Sequence, residues 1–257
     1  MLAYRFYTAA VLACLFIGTP PPCVGDPLVL LVKTLAGDPS GSSGFADGIG
    51  NFASFNSPWG VALTSDGAAA FVVDSASNIL RSVDVSAANV STLSGTRGVR
   101  GSSDGALGVA KFDGPSGITI SGNGAFALVC DTNNHLIRAV TLSPAATAGT
   151  VSTVAGTAAS QGSTDGTGAG ALFSFPRGVS MTSDALIAYV ADTQNGLVRR
   201  ILVPSRVVST LAGVVGSTTS TDGVGLSATF FRPVDIAVDE SGQFLLVVSS
   251  WRGYRCA

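Results

Sequence analysis

Asp131-Thr132-Asn133-Asn134-His135-Leu136-Ile137-Arg138 is matched 61 positions later by Asp192-Thr193-Gln194-Asn195-Gly196-Leu197-Val198-Arg199, with a looser copy from Asp74 to Arg81. In each copy an acid opens a polar turn, an arginine follows seven residues on, and apolar runs lie on both sides. Working outward, the copies prove to be parts of a longer unit. Thr34-Leu35-Ala36-Gly37 returns as Thr92-Leu93-Ser94-Gly95, Thr153-Val154-Ala155-Gly156 and Thr210-Leu211-Ala212-Gly213. Nine or ten residues after each glycine comes an Asp-Gly step, at Asp47, Asp104, Asp165 and Asp222. Eleven residues further stands a proline (Pro58, Pro115, Pro176, Pro233), always preceded at three residues by a phenylalanine (Phe55, Phe112, Phe173, Phe230). The glycines that close the Thr-Leu-Ala-Gly elements are 58, 61 and 57 residues apart. So many offsets kept in register define an internal repeat, and a repeat outranks any single motif as evidence of architecture.

Within a unit the apolar period is two, the period of strands. After the proline come GVALT, GITIS, GVSMT and DIAVD, then a tight turn, then AFVV, FALVC, IAYVA and FLLVV. The Asp turn leads to a third strand (ILRSVDV, LIRAVTL, LVRRILV) and a fourth (VSTLSG, VSTVAG, VVSTLAG). Four consecutive antiparallel strands per unit make one blade of a β-propeller. The expected fold is all-β, with units over about 37–94, 95–155, 156–212 and a partial 213–257.

The Asp-Thr-x-Asn-x-Leu-Ile-Arg stretches resemble the signature of NHL repeats, and the Thr-Leu-Ala-Gly, Asp-Gly and Phe-x-x-Pro-x-Gly-Val elements resemble the long form of that repeat. The resemblance covers about residues 28–255. It implies a propeller and a frame built on Asp74, Arg81, Asp131, Asn134, His135, Arg138, Asp192, Asn195 and Arg199. NHL propellers are commonly six-bladed, whereas about four blades are visible here, so a partial ring and a closed small ring both stand. Unit four departs from the pattern: Ser249 replaces the turn aspartate.

Phe6 to Gly18 is apolar behind Arg5 and is too short for a bilayer span of roughly 20 residues. It reads as an export leader, residues 1–25, cleaved after Gly25, with the propeller at 26–257; an uncleaved anchor is the alternative. If Cys23 is retained, a Cys23–Cys256 disulfide would join the chain ends in an oxidising compartment. Asn89-Val90-Ser91 is a glycosylation sequon, and no Cys-x-x-Cys pair occurs.

Composition narrows the function classes. There are 14 Lys+Arg against 16 Asp+Glu, a net charge of −2, which gives no basic surplus for phosphate contacts. His135 is the only histidine and lies at a turn that the repeat prescribes, which argues against His-based catalysis or a histidine metal site. Asp47, Asp104, Asp165 and Asp222 sit in long loops on one face and are candidates for ligand contact, although their identical spacing favours caps of their own loops. A binding site breaks the symmetry of its repeats, whereas a frame repeats faithfully. The expectation is an exported, non-enzymatic propeller that binds a protein or glycan through its loop face, with no cofactor, no nucleic acid and no membrane span after leader removal. The alternative is a secreted lyase- or lactonase-like enzyme with a metal site.

Overall fold

The computed structural model describes residues 12–16, 31–142, 149–239 and 241–250. Short strands joined by Gly-, Asn- and Asp-containing turns stack as antiparallel sheets. The first blade contains β4 (Pro58–Leu63), β5 (Ala69–Asp74), β6 (Ile79–Asp84) and β7 (Asn89–Gly95), with the two-residue β3 (Gly48–Ile49) added outside β7. The second runs β8 (Ile118–Ile120), β9 (Phe126–Asp131), β10 (Leu136–Thr141) and β11 (Val151–Ala155). In the third, β13 (Pro176–Met181), β14 (Ile187–Asp192), β15 (Leu197–Leu202) and β16 (Val207–Gly213) are again edged by a two-residue strand, β12 (Gly166–Thr167). Each sheet follows chain order, which is the meander of a propeller blade. The protein is thus an all-β, propeller-type array of consecutive four-stranded blades.

Two further two-stranded sheets flank the three blades. β17 (Pro233–Val238) pairs with β18 (Leu245–Ser249), and β1 (Leu12–Phe16) pairs with β2 (Leu31–Ala36). β1 lies inside the stretch read as a leader. It meets β2 in the register with which β10 meets β11: Leu12 faces Ala36 as Ile137 faces Ala155, each followed by a bulge. The rest of residues 1–25, Cys23 and Cys256 lie outside the described residues. No helix of the described residues is long and apolar enough to cross a membrane.

The cores lie between blades. Alternate residues of the second strands point to opposite neighbours, as the two-residue period requires. Phe71 and Val73 of the first blade pack with Ala127 and Val129 of the second, around Phe112. Leu128 and Cys130 then pack with Ala188 and Val190 of the third, around Phe173. Ala191 and Val198 meet Ile236, Leu245 and Val247 at the next junction. Cys130 is fully buried between the second and third blades, and burial pushes its thiol well above the ordinary range, so it behaves as a small apolar residue. Phe112 and Phe173 of the Phe-x-x-Pro element therefore fill the junctions between the three blades, and about 150 Å² or more of surface is withdrawn from water by each.

Candidate functional site

The repeated charges form one cluster per blade. In the second blade the Arg138 guanidinium is fully buried and meets Asp131 at 2.7 Å and Asp104 at 2.6 Å. It also donates to the carbonyls of Ser103 and Lys111, and lies 5.4 Å from the centre of the Phe112 ring. The third blade repeats this with Arg199, Asp192 at 2.9 Å, Asp165 at 2.8 Å and Phe173. The first does so with Arg81, Asp74 at 3.4 Å, Asp47 at 2.8 Å and Phe55. Burial pushes the carboxyls of Asp74, Asp131 and Asp192 up to about 6, against the pull of backbone N–H donors and the arginine in each cluster. Asn134 and Asn195 donate to Asp131 and Asp192 and to the carbonyls of Gly101 and Gly162, tying the turn to the preceding loop.

This changes the reading of the loop aspartates. Asp47, Asp104 and Asp165 do not cap their own loops: each reaches an arginine 34 residues onward, and each accepts a hydrogen bond from the threonine of the blade's outer strand (Thr92, Thr153, Thr210). Each fastens the incoming loop to the blade that follows. Asp222 is exposed and has no arginine partner among the described residues. Those residues contain no converging group of three His, Cys, Asp or Glu side chains.

His135 is nine-tenths buried, in the left-handed conformation with φ 62°. Its Nδ1 accepts the Phe175 N–H at 3.2 Å, and its ring meets Phe175 edge-on at 4.5 Å. Desolvation lowers its pKa, which keeps the acceptor nitrogen free of a proton. Asn78, at the matching position of the first unit, accepts the Gly114 N–H in the same way. The position therefore links a blade to the next loop. Asn89 is exposed at the start of β7.

A second set of repeat positions behaves in the opposite way. Residues on and beside the inner strands β4, β8, β13 and β17 line an open cavity of about 480 Å³. The residue after the repeat proline is Trp59, Ser116, Arg177 and Val234 in turn; the next is Gly60, Gly117, Gly178 and then Asp235. Glycine is demanded by packing: a Cβ on Gly117 would stand 2.3 Å from the Arg177 carbonyl oxygen, and one on Gly60 2.5 Å from that of Ser116. The Gly117 N–H donates to that Arg177 oxygen at 2.8 Å, so neighbouring inner strands touch backbone to backbone. Asp235 carries a side chain where the other three units carry none.

Trp59, Arg177 and Asp235 all line the cavity. The Arg177 guanidinium lies 5.2 Å from the centre of the Trp59 ring, bridging the first and third blades. Partial burial, and then the charge of Arg232, lower the Arg177 pKa. No carboxylate pairs with Arg177 among the described residues, whereas Arg81, Arg138 and Arg199 have two each. Trp59 and Arg177 stand at the variable position of the Pro-x-Gly element and only Asp235 departs from a repeated residue, so recurrence alone does not single out the three.

No family model matches the chain. It is 33% identical over 99 residues to the human protein "NHL repeat-containing protein 2" and, to the same extent, to its Bos taurus counterpart, a match covering 38% of this chain and 14% of either relative. Among solved structures, an auxiliary nutrient binding protein from Bacteroides thetaiotaomicron superimposes with a TM-score of 0.62 at 17% identity, over 84% of this chain and 47% of that one. Kuenenia stuttgartiensis hydrazine synthase gives 0.51 at 14% identity, over 77% and 43%. At such identities the structural likeness speaks to fold alone, and there it agrees with the blades and their repeated clusters. Over the matched segment the chain is similar to NHL repeat-containing proteins, and its blades carry the repeated elements that resemble the NHL signature.

Proposed function

We propose that this protein is an exported, non-enzymatic binding scaffold whose ligand, a protein or a glycan, engages the axial cavity and the loop rim around it. One observation carries the reading: Trp59 and Arg177, from the variable position after the repeat proline, and Asp235, which replaces the repeat glycine, line one cavity, while the acids that recur are held in blade clusters. Convergent polar groups in a concave site of this size are the usual mark of ligand recognition. The nutrient-binding name of the Bacteroides neighbour accords with such a role. Export rests on the apolar stretch behind Arg5, and secreted protein is expected to begin at Asp26 on N-terminal sequencing.

The test is a protein and glycan array probed with the purified chain and with a Trp59→Ala/Arg177→Gln variant. Specific binders lost by the folded variant support the scaffold reading. Binding that survives both substitutions contradicts it, and so does turnover of an arrayed ester or lactone that EDTA abolishes.

A further inference from the structure

Three features of the cavity constrain the chemistry of its occupant, on the premise that the cavity is the binding site. Arg177 brings a fixed positive charge with a planar fork of donors, and no carboxylate is in ion-pair contact with it among the described residues, Asp235 of the same cavity included. Arg232, close enough to perturb it, adds a second positive charge rather than an answering negative one. The frame arginines differ: each is met by two carboxylates and two backbone carbonyls. The second feature is Asp235. Its Oδ1 accepts the Ile236 N–H, and no cation pairs with the carboxylate among the described residues. An ionised carboxylate only accepts, so it selects for hydroxyl or N–H donors. The third is Trp59, 57% exposed although one aspect is engaged by Arg177, a broad apolar surface open to solvent beside the charges.

We propose that the cavity recognises an acidic sugar, with the carboxylate of a uronic-acid-type residue on the Arg177 fork, its hydroxyls donating to Asp235 and its C–H face against Trp59. The fork matches a carboxylate through two parallel N–H···O bonds, which a neutral sugar cannot form. Removing that anion leaves the guanidinium without its partner in a partly desolvated site, so discrimination against the neutral analogue is strong. Asp235 limits the number of negative charges that the cavity accepts and sets the ligand apart from a polyphosphate.

The experiment uses the full chain on an array of uronic-acid oligosaccharides paired with their neutral counterparts, followed by calorimetry on the strongest pair. Acidic members are expected to bind at least ten-fold more tightly than neutral ones. Arg177→Gln is expected to erase that preference, Arg177→Lys to keep part of it, and Asp235→Asn to weaken acidic and neutral members alike. Rising salt is expected to weaken the acidic members only. Equal binding of acidic and neutral members, lost in Trp59→Ala, overturns the acidic-sugar assignment and leaves the scaffold reading standing. A preference that persists in Arg177→Gln overturns the assignment as well. An array with no signal, acidic or neutral, overturns the assignment, and only a silent protein array beside it would carry the scaffold reading down too.

Discussion

Arg138 and Arg177 occupy the same blade system and have opposite surroundings. Arg138 is sealed among two aspartates, two carbonyls and a phenylalanine, and the chain builds that arrangement three times. Arg177 lies on a tryptophan beside open space, and the equivalent positions are tryptophan, serine and valine. The first kind of site answers every charge internally and has nothing left for a ligand. The second leaves its charge unanswered. Repetition in a propeller thus separates the frame from the recognition surface, and the separation can be attacked from either side.

The largest effect is expected from the frame. Arg138→Ala leaves Asp131 buried without its cation, at a cost of about 3–5 kcal/mol. With about 2–4 °C per kcal/mol for a domain of this size, the melting temperature falls by roughly 6–20 °C in calorimetry. A loss under about 2 °C would show that the cluster is not holding the blade.

A pH series tests the same clusters together. The carboxyls of Asp74, Asp131 and Asp192 titrate near 6 in the folded chain and near 3.8 unfolded. Between those values the folded state holds more protons than the unfolded one, so stability declines as pH rises from about 4 to 6 and is level above that. Asp104 and Asp165 are lowered from 3.8, so their opposite contribution falls below that window. A melting temperature lower at pH 6.5 than at pH 4.5 is expected in calorimetry; a rise across the same interval would contradict it.

Between frame and cavity stand the inner-strand glycines. Gly117→Ala forces a Cβ onto the Arg177 carbonyl and is expected to cost about 1–3 kcal/mol. Asp235→Gly restores the repeat residue and is expected to leave stability within about 1 kcal/mol. Equal losses in both, read by urea denaturation, would deny that Asp235 is a departure made for recognition.

The sequence made the frame legible because its residues recur at constant offsets: strands, turns, the seven-residue Asp–Arg pairing and the junction phenylalanines all follow from periodicity. The role of Asp104 did not follow. Its 34-residue offset to Arg138 is as constant as any other, but spacing alone does not say that the loop folds back onto the next blade. His135 was readable as a turn residue and not as an acceptor for Phe175, since that contact crosses 40 residues between blades. Asp235 is visible as a mismatch in the aligned units, whereas Trp59 and Arg177 lie at a variable position; only the packing of the inner strands side by side brings the three together.

Calorimetry on Arg177→Gln, recording melting temperature and acidic-oligosaccharide affinity on one preparation, tests the division between frame and recognition surface most directly. The account predicts a melting temperature within about 2 °C of the unsubstituted protein, as for a substitution outside the packed frame, together with at least a ten-fold loss of affinity. Unchanged affinity, or a collapse in melting temperature like that expected of Arg138→Ala, would contradict it.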